Sequence, residues 1–180
     1  MLIVLVSGGG TNLQALIDSG IKVDYVLSSN PNAYAIKRCE NYGIKYSVIQ
    51  NPEEIDNELS RLNPDLIVLA GYLKILPKDV TEKYRIINIH PSLLPSFGGK
   101  GMYGLNVHRA VLAEECKITG ATVHYVDGGV DTGRIIAQAE VVVPSGISPE
   151  NLQQLVMEKC EQILLPKVVK NLLSEIEKNI

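Results

Sequence analysis

Through the first ninety residues, short apolar runs alternate with stretches whose apolar positions recur every three or four residues. The short runs predict buried strands over residues 2–7, 23–27, 46–49, 65–70 and 86–89. The longer-period stretches predict helices over residues 11–18, 33–42 and 52–62. Gly43 is a typical helix stop, and Pro52 suits the first turn of the third helix. Strictly alternating strands and helices predict βαβ units, hence a parallel sheet covered on both faces.

The second half reads differently. Residues 91–104 form a Gly/Pro-rich loop without periodicity, and residues 107–115 a short helix. Two strands, residues 119–126 and 134–143, flank an Asp/Gly-rich turn over residues 127–133. So short a connection requires antiparallel pairing, which makes the sheet mixed. Residues 148–180 read as one long helix with a kink expected at Pro166. The expected fold is α/β, a three-layer sandwich on a mixed, mostly parallel sheet of about seven strands. A single domain over residues 1–180 is the natural size for one core.

Composition narrows the function classes. Net charge is −3, so a basic surface for nucleic acid is not expected. No apolar run approaches ~18 residues, and the apolar start lacks a basic leader, so neither a membrane span nor a signal peptide is expected. Cys39, Cys116 and Cys160 are widely spaced and odd in number, fitting small apolar core residues of a reduced, cytoplasmic protein. No Cys/His cluster has ligand spacing, and no metal is expected.

The chemistry concentrates in Asn88-Ile89-His90-Pro91-Ser92-Leu93-Leu94-Pro95. Period-two geometry puts the Asn88 carboxamide and the His90 imidazole on one face of a strand, and Pro91 keeps His90 extended. A carboxamide beside an imidazole suits an anionic tetrahedral intermediate, as in acyl transfer. Ser7-Gly8-Gly9-Gly10-Thr11-Asn12 joins the first strand to the first helix. Its amides and the helix dipole suit a phosphate. It is no Walker A loop, and Leu13 stands where a dinucleotide fingerprint needs its third glycine, which favours a monophosphate ester. The turn Asp127-Gly128-Gly129-Val130-Asp131-Thr132-Gly133 reads first as a hairpin whose aspartates make turn hydrogen bonds. Alternatively it supplies a carboxylate that orients His90. His108 reads as a capping or packing residue, and His124 as a sheet hydrogen-bonder.

These motifs occur in one order with Ala70-Gly71-Tyr72-Leu73-Lys74-Ile75-Leu76, and together they resemble the phosphoribosylglycinamide formyltransferases, a folate-dependent formyl transferase family of purine biosynthesis. The likeness runs from Leu2 to about Pro166. It implies a Rossmann-like formyltransferase fold and transfer of the formyl group of 10-formyltetrahydrofolate to the amine of glycinamide ribonucleotide. It implies Asn88, His90 and Asp131 as the catalytic residues, without a metal. It implies Gly10, Thr11 and Asn12 on the phosphate, Pro91 against the ribonucleotide, and Glu161 on the glycinamide amine. The folate would meet Leu73, Lys74, Ile75 and Leu76, Asn88, and the loop Asp127, Gly128, Gly129, Val130 and Asp131. The expected partners are these two small molecules, with the chain acting as a monomer or homodimer.

Two departures stand out. Residues 96–104 are longer than the family's usual loop, with Lys100 available to an anionic group. Lys74 replaces an arginine, and Asn51-Pro52-Glu53-Glu54 lacks a second one, which weakens recognition of a folate glutamate tail. The competing readings are another formyl transferase with the same chemistry, such as a methionyl-tRNA or sugar-nucleotide formyltransferase or a formyltetrahydrofolate hydrolase, and a binding module without catalysis.

Overall fold

The computed structural model of the protein describes residues 1–179. Seven strands form one sheet in the order β3-β2-β1-β4-β5-β6-β7. They are β1 (Leu2–Val6), β2 (Tyr25–Ser28), β3 (Lys45–Val48), β4 (Leu66–Leu69), β5 (Ile86–His90), β6 (Ile118–Tyr125) and β7 (Ile135–Val142). The first five run parallel; β6 pairs antiparallel with β5, and β7 with β6. The helices are α1 (Thr11–Asp18), α2 (Tyr34–Tyr42), α3 (Ile55–Leu62), α4 (Lys78–Lys83), α5 (Leu105–Ala113), α6 (Pro149–Val156) and α7 (Gln162–Lys178). Among the described residues, no helix is long and apolar enough to cross a membrane.

Alternation along the central strands divides the core. Leu2, Val4 and Val6 face a cluster that includes Leu13 and Leu16 of α1, Cys39 of α2, Val111 of α5 and Leu165 of α7. Ile3 and Leu5 face a smaller cluster with Ile55 and Leu59 of α3 and Val80 of α4. Every residue of β1 is buried, as a parallel strand covered on both faces must be. Each such Leu, Ile or Val contributes roughly 1.5–3 kcal/mol of transfer free energy.

Four features differ from the sequence reading. Helix α4 was not evident, because six residues hold too few apolar positions to show a period. Pro52 opens a 3₁₀ turn, Pro52–Glu54, before α3 begins. The terminal helix breaks not at Pro166, which stays inside α7, but at a π-turn over Met157–Glu161. The extra residue of that turn leaves Cys160 and Glu161 buried. Cys116, expected in the core, is only half-buried, because it follows α5 at the sheet margin.

Candidate active site

The chain leaves β1 toward β2 on one side and later returns to β4 on the other. Open α/β sheets bind ligands at the carboxyl ends of the strands beside such a reversal. A cavity of about 610 Å³ opens there, bounded by Gly9, Thr11 and Asn12, by Leu73, Lys74, Ile75 and Leu76, by Asn88, His90 and Pro91, by Asp127, Gly128, Gly129, Val130 and Asp131, and by Glu161. Sequence reasoning named all of these except Gly9. Gly10, also expected at the phosphate, does not line this cavity. It takes a left-handed φ of 71°, and a Cβ on it would lie 2.7 Å from the Ala35 Cβ. The lack of a side chain at Gly10 lets the loop fold against α2, with the Gly9 carbonyl accepting from Arg38 Nε at 2.8 Å.

At the glycine-loop end, Asn12 Nδ2 donates to Glu161 Oε2 at 2.8 Å, joining the start of α1 to the π-turn. Glu161 is only 9% exposed. Burial pushes its carboxyl above the ordinary range, and the Asn12 amide only partly opposes this. Asn12 Oδ1 is buried without a partner.

At the opposite end the walls are apolar and open. Leu73 is 61% exposed and Ile75 68%, while Leu76 is buried against α4. The Leu73 amide donates to Ser7 Oγ at 2.8 Å, so that hydroxyl and the buried Leu76, not the exposed Leu73 and Ile75 side chains, anchor this segment. Asp127 accepts from the Gly129 amide at 2.9 Å and Thr132 Oγ1 at 2.6 Å. It is therefore the turn-forming aspartate, and those two bonds hold its carboxyl low.

Between the ends lies the polar centre. His90 Nδ1 stands 3.6 Å from Asp131 Oδ2, and its Nε2 donates to the Phe97 carbonyl at 2.8 Å. Burial pulls His90 below the usual imidazole value; the Asp131 charge and the Phe97 carbonyl oppose it without cancelling it. Burial would raise the Asp131 carboxyl, but His124, the His90 charge and the Gly99 amide, 3.0 Å away, outweigh it and hold it low. Asp131 has a φ of 57°, a conformation that costs a non-glycine residue on the order of 1–3 kcal/mol and gathers at functional sites. Asn88 bonds not to His90 but to His124, with Nδ2 and Nε2 3.1 Å apart.

Two histidines given bland roles belong to this centre. His124 sits opposite Asn88 in the β5–β6 register, and its Nε2 is 3.6 Å from Asp131 Oδ1. Only the strand register reveals this, and residue spacing does not encode it. His108 of α5 lines the cavity, is fully buried, and has no partner for either ring nitrogen. Burial, with the neighbouring His90 charge, lowers its pKa to about 4. Among the described residues, no group of three or more His, Cys, Asp or Glu is arranged to hold a metal ion.

Residues 1–169 match the formyl transferase family. The chloroplastic phosphoribosylglycinamide formyltransferase of Arabidopsis thaliana is 36% identical, over 88% of this chain and 60% of its own length. This chain thus spans about three-fifths of that plant relative. The Haemophilus influenzae phosphoribosylglycinamide formyltransferase is 38% identical, over 93% of this chain and 84% of its own. Crystal structures of phosphoribosylglycinamide formyltransferases superpose well. That from Anaplasma phagocytophilum gives a TM-score of 0.85 at 38% identity, covering 94% of this chain and 84% of that one. That from Bacillus halodurans gives 0.86 at 31%, covering 97% and 96%. With the sheet order, the cavity and these likenesses in agreement, the chain belongs to the formyl transferase family.

Proposed function

We propose that this chain moves the formyl group of 10-formyltetrahydrofolate to the amine of glycinamide ribonucleotide. The observation that carries the reading is the meeting of Asn88, His90 and Asp131 between a glycine loop and an exposed apolar wall in one cavity. A volume of about 610 Å³ lies within the range of sites for cofactor-sized molecules, and Leu73, Ile75 and Val130 offer it exposed apolar faces.

Each residue then has a definite task. Thr11, Asn12 and the glycine-loop amides bind phosphate at the start of α1, an eight-residue helix whose dipole adds to their pull. Glu161 takes the glycinamide amine: its carboxylate pairs with the incoming ammonium and, pushed up by burial, accepts the proton whose loss frees the amine to attack. Asn88 and His90 donate to the formyl oxygen as negative charge develops there. In that step His90 exchanges the Phe97 carbonyl for the oxyanion. Asp131 favours a charged His90, receives, directly or through water, the proton lost by the attacking amine, and returns a proton to the folate nitrogen as its bond to the formyl carbon breaks. The folate meets Leu73, Lys74, Ile75 and Leu76 and the backbone of the 127–131 loop, whose amides and carbonyls can pair with a pterin edge. Lys74 offers a carboxylate one point charge rather than a fork.

The test is direct. The purified chain, given 10-formyltetrahydrofolate and glycinamide ribonucleotide, should release tetrahydrofolate and N-formylated ribonucleotide in equal amounts. Binding of both without turnover, or folate hydrolysis that ignores the ribonucleotide, would overturn the reading.

A further inference from the structure

Asn88 is asked to present an N–H to a developing oxyanion, yet a carboxamide on a strand end can rotate by half a turn and present its oxygen instead. That error would place an acceptor against negative charge. Something in the protein must therefore choose the face, and the candidates are the groups that touch the carboxamide.

His124 is 2% exposed and pairs directly opposite Asn88 across β5 and β6. Directly opposed side chains in antiparallel strands have Cβ atoms about 4.5–5.5 Å apart, close enough to interact. A register shift lies here as well: Val123 pairs with Ala137 but His124 with Ile135. Such irregularities re-aim side chains and gather beside active sites. Nδ1 of His124 lies 2.8 Å from the Tyr125 carbonyl, which can only accept, so Nδ1 carries the proton. In a neutral ring Nε2 is then a bare acceptor; its short contact is Asn88 Nδ2 at 3.1 Å, whereas Asp131 Oδ1 stands at 3.6 Å, outside hydrogen-bond distance. Among the described residues, the second N–H of Asn88 Nδ2 has no hydrogen-bond partner.

From this geometry we infer that His124 is a positioning residue for Asn88. The Tyr125 carbonyl selects the tautomer, the bare Nε2 takes one carboxamide N–H, and the other N–H is held toward the cavity. The chain of command runs from backbone to imidazole to amide to substrate oxygen. His124 lines the cavity, and in this role it acts through Asn88. The inference rests on the formyl-transfer reading for its consequence in turnover, but not for its structural content.

Two measurements separate those parts. In the intact chain at neutral pH, ¹⁵N NMR of His124 should report a neutral ring protonated at Nδ1, whatever the protein catalyses. An imidazolium or an Nε2–H tautomer would overturn the inference even in a fully active enzyme. In turnover, His124→Phe keeps the ring and removes the acceptor; kcat should fall roughly 10- to 100-fold, less than the ~10²–10³ for outright loss of one oxyanion donor because Asn88 is misaligned and not removed, with both KM values nearly unchanged. His124→Gln, whose carbonyl can accept, should recover part of the loss, and it serves as the test if the Phe variant does not fold. His124→Phe should add nothing to Asn88→Ala, since the aligned group is already gone, but should add to Asp131→Asn. The reverse pattern, or wild-type kcat in His124→Phe, would instead assign His124 to Asp131 or to packing alone.

Discussion

The two ends of the cavity are built on opposite principles. At the glycine-loop end, the recognition groups are buried and bonded across the fold: Asn12 reaches Glu161 from another helix, and Gly10 is wedged against α2. At the Leu73–Val130 end, large apolar side chains stand in solvent on segments anchored by bonds from backbone amides to the Ser7 and Asp127 side chains. The first end stores its cost in the free protein, as a buried carboxylate and an unpartnered amide oxygen. The second loses its exposed apolar area only when a ligand arrives. A preorganised polar site gives specificity for one small charged molecule, whereas an open apolar wall gives tolerance toward a larger one. Substitutions at the first end should therefore act on stability and on one substrate together, and substitutions at the second on binding alone.

The catalytic centre serves both ends, so it should produce the largest effect. His90→Ala is expected to lower kcat by about 10³ or more, since it removes an oxyanion donor and the proton partner of Asp131 together. Near-normal single-turnover rates would refute the assignment.

Next in size is a stability effect at His108. Its pKa is lowered to about 4, whereas the unfolded residue takes up a proton near 6.5. Stability is therefore full above that ordinary value and is lost as pH falls toward 4, by up to about 3 kcal/mol. The lowered pKa of His90 acts in the same direction. Urea unfolding across this range should show the loss in the wild type and a much shallower loss in His108→Leu; equal slopes would mean that His108 is not buried neutral.

Glu161→Gln should raise KM for the ribonucleotide by roughly 10- to 100-fold, about 1.4–2.7 kcal/mol, with the folate KM unchanged. Its melting temperature should hold or rise, because the buried charge is gone. A parallel increase in both KM values would erase the distinction between the ends.

Smallest is Leu73→Ala with Ile75→Ala. Both side chains are mostly exposed, so the double change should leave stability within about 0.5 kcal/mol while weakening the folate several-fold. A marked loss of thermal stability would show that this end is core after all.

The sequence was legible where short-range physics governs. The β1 run, the α1 boundaries, Gly43 as the left-handed stop of α2, and the antiparallel β6–β7 pair all follow from apolar period, helix-stop chemistry and loop length. Asn88, His90, Asp131 and Glu161 were found by likeness to a family, and period-two geometry accounts only for the first pair. The π-turn was invisible because no local pattern marks it, and the residue that meets its Glu161, Asn12, lies at the opposite end of the chain. His124 was passed over because a histidine on a strand looks the same whether its opposite number is Asn88 or an alanine.

The order of residues alone decided which segments are strands and helices, and it held an amide and an imidazole on a single strand face, since bonded geometry carries that information over a few residues. Folding decided the rest. It chose that Asp131 and His124 stand by this strand, that Asn12 meets Glu161, and that His108 lies buried without a partner. Strand register and helix packing are set by the summed burial of many distant side chains, and no local pattern encodes that sum.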